Sequence, residues 1–164
     1  MNTNTPQPVR DITLKRIDIN QVDLLTKYRL EYLQEMQGNL LPEYKAQLEQ
    51  DLNRYFKEAI ENDRLFAYVA MDGEQVLSFG AMVIKKIPGD ANKSVYLEGD
   101  ILNMYTLPQE RRKGYSAIIL NELINEAKRI GISKISLHTS KDGEKLYRKF
   151  QFSEPQYPVL ELVL

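Results

Sequence analysis

The chain contains no cysteine and a single histidine, His138. The first absence removes disulfides, thiolate nucleophiles and cysteine-ligated metals together. The second leaves too few imidazoles for a histidine-rich metal site and argues against a Ser-His-Asp triad. His138 itself, in the strand-like "ISLHT", reads as a structural residue. No apolar run is long enough to span a bilayer, and the opening MNTNTPQP lacks the apolar core of a secretory leader. A cytoplasmic protein without a membrane partner is the expectation. Net charge is nearly absent too, with 22 Lys or Arg against 23 Asp or Glu. The total therefore calls for no nucleic-acid partner.

What is present suits one packed domain. The 164 residues are 43% hydrophobic and 27% charged, enough for a real core. Residues 1–8 are polar, twice interrupted by proline, and read as a flexible tail ahead of a single domain at 9–164. Charge is uneven along it. Leu107 to Phe150 holds 10 Lys or Arg against 5 Asp or Glu. An anion-binding half fits this, and so do two solvated faces screened by salt.

Hydrophobic periodicity orders the elements. Val9–Ile17 alternates weakly, a first strand. Asn20 can cap a helix striped by Leu25, Tyr28, Tyr32 and Met36. Pro42 suits the first turn of a second helix, buried through Leu48, Leu52, Tyr55, Phe56 and Ala59. Two apolar runs flank Asp72-Gly73, a hairpin with the residues of a type I′ turn. Another strand starts at Val95. A helix follows Gly114, apolar at Ala117, Leu120, Leu123, Ile124 and Ala127, with Gly131 as its left-handed stop. "ISKISLHT" is a strand, "GEKLYRKF" a short helix and "YPVLELVL" a closing strand. The order β-α-α-β-β-β-α-β-α-β predicts a mixed α/β layer fold.

Two local features bear on chemistry. Val95, Leu97 and Ile101 share one strand parity, but Leu102 and Met104 hold the other. A β-bulge after Ile101 produces such a slip and frees backbone groups from the ladder; a central strand buried on both faces gives the same pattern. The second feature is "TLPQERRKGYSAII". Arg111, Arg112 and Lys113 precede Gly114 at the start of a helix, the end that already carries partial positive charge. Unpaired N–H groups and those cations suit a phosphate. Neither a Walker A spacing nor GxGxxG is present.

"RRKGYS" resembles the Q/R-x-x-G-x-G/A signature of the GNAT superfamily of acyl-CoA-dependent N-acyltransferases. The likeness extends through "LNMYTLPQERRKGYSAIILNELINEAKRIG", "KISLHT" and "KLYRKFQF", and through the element order from about Val9 onward. It implies a central mixed sheet with splayed strands flanked by helices, and acetyl-CoA as co-substrate in the gap, with no metal. Amides from Arg112 through Lys113, Gly114 and Tyr115 to Ser116 would hold its pyrophosphate, with Arg111 at the mouth. Backbone groups of Met104, Tyr105 and Thr106 would pair with the pantetheine arm. Ser116 stands where Gly or Ala is usual, Ser140 where many members have a pantetheine-contacting Asn, and Gln151 where Gly precedes a Phe.

The reaction implied is direct attack of an amine, small-molecule or peptide, on the acetyl thioester. Tyr147 resembles the general acid that protonates the departing thiolate; a core aromatic is its other reading. A backbone N–H near Met104 or Tyr105 would stabilise the oxyanion. Glu98 and Asp100, on one strand face, are candidate bases, and equally an exposed polar face. Glu31 and Glu35 suit attraction of a cationic substrate. Homodimerisation through the apolar last strand is a further expectation. A non-catalytic acyl-CoA-binding module and a protein-interaction module of the same fold are the alternatives.

Overall fold

The computed structural model describes residues 10–164, and the tail expected at 1–8 lies outside the described residues. The chain runs β1 (Ile12–Arg16), α1 (Val22–Gln37), α2 (Pro42–Glu61), β2 (Leu65–Asp72), β3 (Gln75–Pro88), β4 (Val95–Thr106), α3 (Tyr115–Arg129), β5 (Ile132–Leu137) and α4 (Lys141–Lys149). The strands form one five-stranded sheet in chain order. Neighbours from β1 to β4 are antiparallel, whereas β4 and β5 are parallel. This is the mixed α/β sheet with flanking helices that the periodicities predict.

Helices cover both faces, so the central strands lose their alternation. Leu65–Ala70 and Val76–Met82 are buried without a break. On one face Leu25 and Tyr28 of α1 and Phe56 of α2 pack against Val69, Phe79, Ala81 and Tyr105. On the other, Ile119, Leu120 and Leu123 of α3 pack against Phe66, Tyr68, Met82 and Ile101. Met36, the last member of the predicted α1 stripe, is instead 60% exposed. Glu126 of α3 is buried between Arg16 of β1, at 2.8 Å, and Arg129, at 2.6 Å. Those hydrogen-bonded guanidinium groups, Arg129 foremost, hold its carboxyl below the usual range.

Tyr55, predicted on the buried face of α2, is 43% exposed, and three further expectations need correction. Asn20 does not cap α1 with its side chain; Asp18 begins the helical path. Its carboxylate accepts from the Asn20 N–H at 2.8 Å, while the Gln21 side chain accepts from the Asp18 N–H at 3.3 Å. This capping box encloses a 3-10 turn, Ile19–Gln21, that runs into α1. In the hairpin, Asp72 stays in the ladder opposite Gln75, so the loop is Gly73-Glu74 and only Gly73 has a positive φ, 58°. A type I′ turn needs two such residues. Last, "YPVLELVL" forms no strand. Residues from Ser153 onward have no helix or strand, and Leu160 is 91% exposed. A strand exists through its pairing. Pro155 and Pro158 each lack the N–H that pairing needs, and the outer edge of β5 has no strand on it.

Gly80 sets the distance between β3 and α3. A Cβ there would stand 2.6 Å from Ile119 Cγ2, 2.6 Å from the Met104 sulfur and 2.9 Å from Leu123 Cδ1. Gly80→Val is therefore expected to destabilise the fold by about 1–3 kcal/mol, the usual range for overpacking. Thermal melting should read this as a Tm lower by several degrees.

Candidate active site

The site is built where β4 outruns its neighbour. Parallel pairing between β4 and β5 begins at Leu97↔Ile132 and ends at Ile101↔Leu137. From there β5 stops and the chain turns into α4. β4 continues to Thr106, paired on its other side with β3 through Met104↔Gly80, Tyr105↔Phe79 and Thr106↔Ser78. The strands thus part at one point, and the β5-facing edge of β4 from Asn103 to Thr106 has no strand partner.

The separation coincides with a bulge. Ala81 pairs with Asn103 and Met82 with Ile101, leaving Leu102 as the extra residue. This is the position of the parity slip. The bulge restores phase across the break. Glu98, Asp100, Asn103 and Tyr105 lie opposite Lys85, Val83, Ala81 and Phe79. All four therefore share the sheet face covered by α1 and α2. Met104 points to the α3 side.

Beyond β4 the basic turn has an unusual backbone. Pro108–Glu110 makes one 3-10 turn. Arg112 then takes φ 63° and Gly114 φ 90°, directly before α3. The first intrahelical bonds run from Ala117 and Ile118 to the Gly114 carbonyl, at 3.1 and 3.3 Å. Among the described residues, the N–H groups of Arg112, Lys113, Gly114, Tyr115 and Ser116 have no backbone acceptor. Left-handed residues interleaved with ordinary ones curl successive amides toward one side, a shape that receives anions. No atom lies within 4 Å of a Cβ built on Gly114, so the approach is open. The cradle fits a diphosphate by its donor set.

Two of the three cations are engaged within the protein. Arg111 donates to Glu35 of α1 at 2.7 Å and, through Nε, to the Thr106 carbonyl at 3.0 Å. Its guanidinium also lies 5.7 Å from the centre of the Tyr105 ring. The Arg111 hydrogen bond keeps the Glu35 carboxyl below its ordinary value. Burial, and then Glu35, push the Tyr105 phenol up to about 12. Lys113 donates to Glu110 at 3.0 Å, and Glu110, only 3% exposed, also accepts from Arg10 at 2.7 Å. Arg112 holds no carboxylate among the described residues. Glu35, read from sequence as a lure for a cationic substrate, is thus a strut that ties α1 to the turn.

On the far side of the gap stands α4. Ser140 caps it, its hydroxyl accepting from the Gly143 N–H at 3.2 Å. Tyr147 is half-buried, edge-on to Phe152 with ring centres 5.8 Å apart. Burial raises its phenol above the ordinary value, and the phenol of Tyr32 on α1 raises it further. Tyr32 belongs to the opposite core layer and packs edge-on to Tyr105, centres 6.2 Å apart.

The predicted carboxylates sit differently. Glu98 pairs with Lys134 of β5 at 2.8 Å, and Asp100 pairs with Lys85 of β3. Both lie on the stretch of β4 still closed against β5. A cavity of about 400 Å³ lined by Arg16, Ile17, Asp18, Ile60 and Leu65 contains none of these groups. Sequence reading passed over Arg29 and Asn103. Arg29 donates to the Asn103 side-chain oxygen, and Asn103 is 1% exposed. Their signal was present: Arg29 falls four residues after Leu25 and three before Tyr32, inside the apolar stripe of α1.

An open strand edge leading to an amide cradle at a helix start suits an extended ligand that ends in a phosphate group. The comparisons with known proteins agree. A family model described as the acetyltransferase (GNAT) family matches residues 30–152, and the chain belongs to that family. A crystal structure of a predicted acetyltransferase from Clostridium acetobutylicum, solved with acetyl-CoA, is 29% identical. It superposes with a TM-score of 0.79 over 93% of this chain and 96% of that one. A GCN5-related N-acetyltransferase from Ralstonia eutropha JMP134 is 18% identical, with a TM-score of 0.73 over 92% and 98% of the two chains. A ribosomal-protein-alanine N-acetyltransferase from Brucella melitensis shares the fold at 14% identity and a TM-score of 0.66, over 93% and 99%. Among curated proteins none matches the chain. Membership supports acyl transfer as the chemistry. Among the described residues no helix is long and apolar enough to cross a membrane.

Proposed function

We propose that the chain is an N-acetyltransferase, moving the acetyl group of acetyl-CoA to a primary amine by direct attack in a ternary complex. The observation that carries this reading is the continuity of the five unpartnered amides, Arg112 to Ser116, with the unpaired edge of β4. The diphosphate would lie on the amides beside Arg112. The pantetheine arm would run along Met104, Tyr105 and Thr106 as an added strand, its far side near Ser140. A β4 amide near the bulge would donate to the carbonyl oxygen as it gains charge. Tyr147, kept protonated, would give its proton to the departing thiolate. The amine nitrogen bonds to the acetyl carbon as the carbon–sulfur bond breaks, and its proton leaves to Asp100, Glu98 or water. Support also comes from the Clostridium structure, solved with acetyl-CoA.

The ion pairing of Glu98 and Asp100 favours one second reading, an acyl-CoA-binding module without a working base. Release of CoA thiol, followed with a panel of primary amines, separates the two. The expected result is amine-dependent release above the hydrolytic background. Tight acetyl-CoA binding with no amine-dependent release would establish the second. For the assembly we propose a homodimer, with the exposed, proline-free segment 159–164 pairing along the outer edge of β5 in a second copy. Light scattering that returns a monomer would end that proposal.

A further inference from the structure

The geometry points to an anion subsite on the acceptor side of the cleft: Arg29, oriented by Asn103, binds a carboxylate or phosphate carried by the amine that is acetylated. This deepens the N-acetyltransferase reading and rests on it.

The first observation is a cation without a counter-charge. Of nine arginines in the chain, Arg10, Arg16, Arg54, Arg64, Arg111, Arg129 and Arg148 each hold a carboxylate. Among the described residues, Arg29 and Arg112 do not. Arg112 stands at the cradle. Arg29 is partly buried on α1 against Asn103 of β4, and that burial pulls its pKa below the ordinary guanidinium value. What faces it is neutral. The Tyr32 ring centre lies 5.4 Å from its guanidinium, and its hydrogen bond goes to an amide oxygen rather than a carboxylate. A guanidinium so placed is costly unless something anionic completes it.

The second observation is independent. The Asn103 nitrogen is buried and has no acceptor. Donating to Arg29 as well is not open to it, since guanidinium offers donors only. The pair is therefore short of oxygen on both sides. A ligand oxyanion supplies what is lacking, and the planar fork of arginine suits carboxylate and phosphate alike.

The location fits an acceptor rather than the acyl donor. Asn103 begins the unpaired edge of β4 and lies on the α1 face, away from Met104. Tyr32 carries Arg29 against its ring and packs edge-on to Tyr105 of the unpaired edge. An anion on Arg29 would thus leave the rest of a small amine beside Tyr105 and the β4 edge along which the pantetheine arm is proposed to run. Asn103 acts here as a positioning residue and Arg29 as the binding group.

Matched substrates test this. Each amino acid is compared with its amide, and an amino sugar with its phosphate, by kcat/KM for thiol release. The anionic member of at least one pair should be preferred by about 10- to 100-fold, the usual worth of a charge-assisted hydrogen bond. The amino-acid arm reports carboxylate and the sugar arm phosphate. Arg29→Gln should collapse the ratio. Asn103→Asp should collapse it too with Arg29 still present, because an internal carboxylate then completes the guanidinium; melting without ligand checks that both variants fold. Neutral and anionic members turned over alike, or a ratio unmoved by both variants, would overturn the subsite. Failure of every amine to release thiol would instead strike the amine reading. In that event calorimetry of N-acetyl amino acids and their amides on the CoA complex decides the subsite. An Arg29-dependent preference for the acid upholds it, and equal binding refutes it.

Discussion

Gly114→Glu is expected to reduce acetyl-CoA affinity by about 1,000-fold. A carboxylate set about 4 Å from a phosphate near a protein surface meets repulsion on the order of 4 kcal/mol, and about 1.4 kcal/mol is tenfold. The open space before the Gly114 Cβ position is what makes the effect so large. The added side chain needs to displace no protein atom to reach the five free amides, and would occupy them itself. Calorimetric titration with acetyl-CoA measures the loss.

Strain must be separated from charge in that experiment. Gly114 has φ 90°, a conformation that side chains other than glycine rarely adopt. Any substitution costs stability, Glu included. Gly114→Asn is the control, because Asn tolerates positive φ best and brings no charge. It should lose far less affinity than Gly114→Glu at comparable melting temperature. Equal losses would assign the effect to the backbone, and an unchanged affinity for Gly114→Glu would remove the diphosphate from the cradle altogether.

The legible parts of this molecule are those written in short-range periodicity. The slip after Ile101 is readable because side chains alternate with period two, so one extra residue, Leu102, reverses every later position. Gly114 and Gly131 are readable because positive φ selects glycine. The closing strand was not, because an apolar extended segment looks the same paired or unpaired, and pairing depends on distant backbone. The partners of the basic run escaped for the same reason. Glu35 lies 76 residues from Arg111, and Arg10 lies 100 from Glu110. Nothing in local sequence says which distant carboxylate meets a cation. Arg29 was the subtler loss. A cation inside an apolar stripe reads as a snorkelling surface residue until its partner, Asn103, is seen to be buried.

Tyr147→Phe is expected to lower kcat by about 10²- to 10⁴-fold, the range for removal of a positioned proton donor, with acetyl-CoA affinity nearly unchanged. Phenylalanine keeps the ring that packs edge-on to Phe152, so the half-buried site should hold its shape. Only the hydroxyl is lost. The pH profile gives the sign. An ordinary tyrosine titrates near 10, and burial with Tyr32 places Tyr147 above that. Its proton is therefore present across the neutral range and is lost only above about 10. Wild-type turnover that falls with rising pH between about 7 and 9 would have to arise from another group, and that limb should survive in the phenylalanine variant at its lower level. Falling pH cannot switch the donor off, since protonation is the active state. Undiminished kcat for Tyr147→Phe at saturating substrates would exclude the phenol from the reaction, leaving the thiolate to depart unassisted or to take its proton from water in the gap.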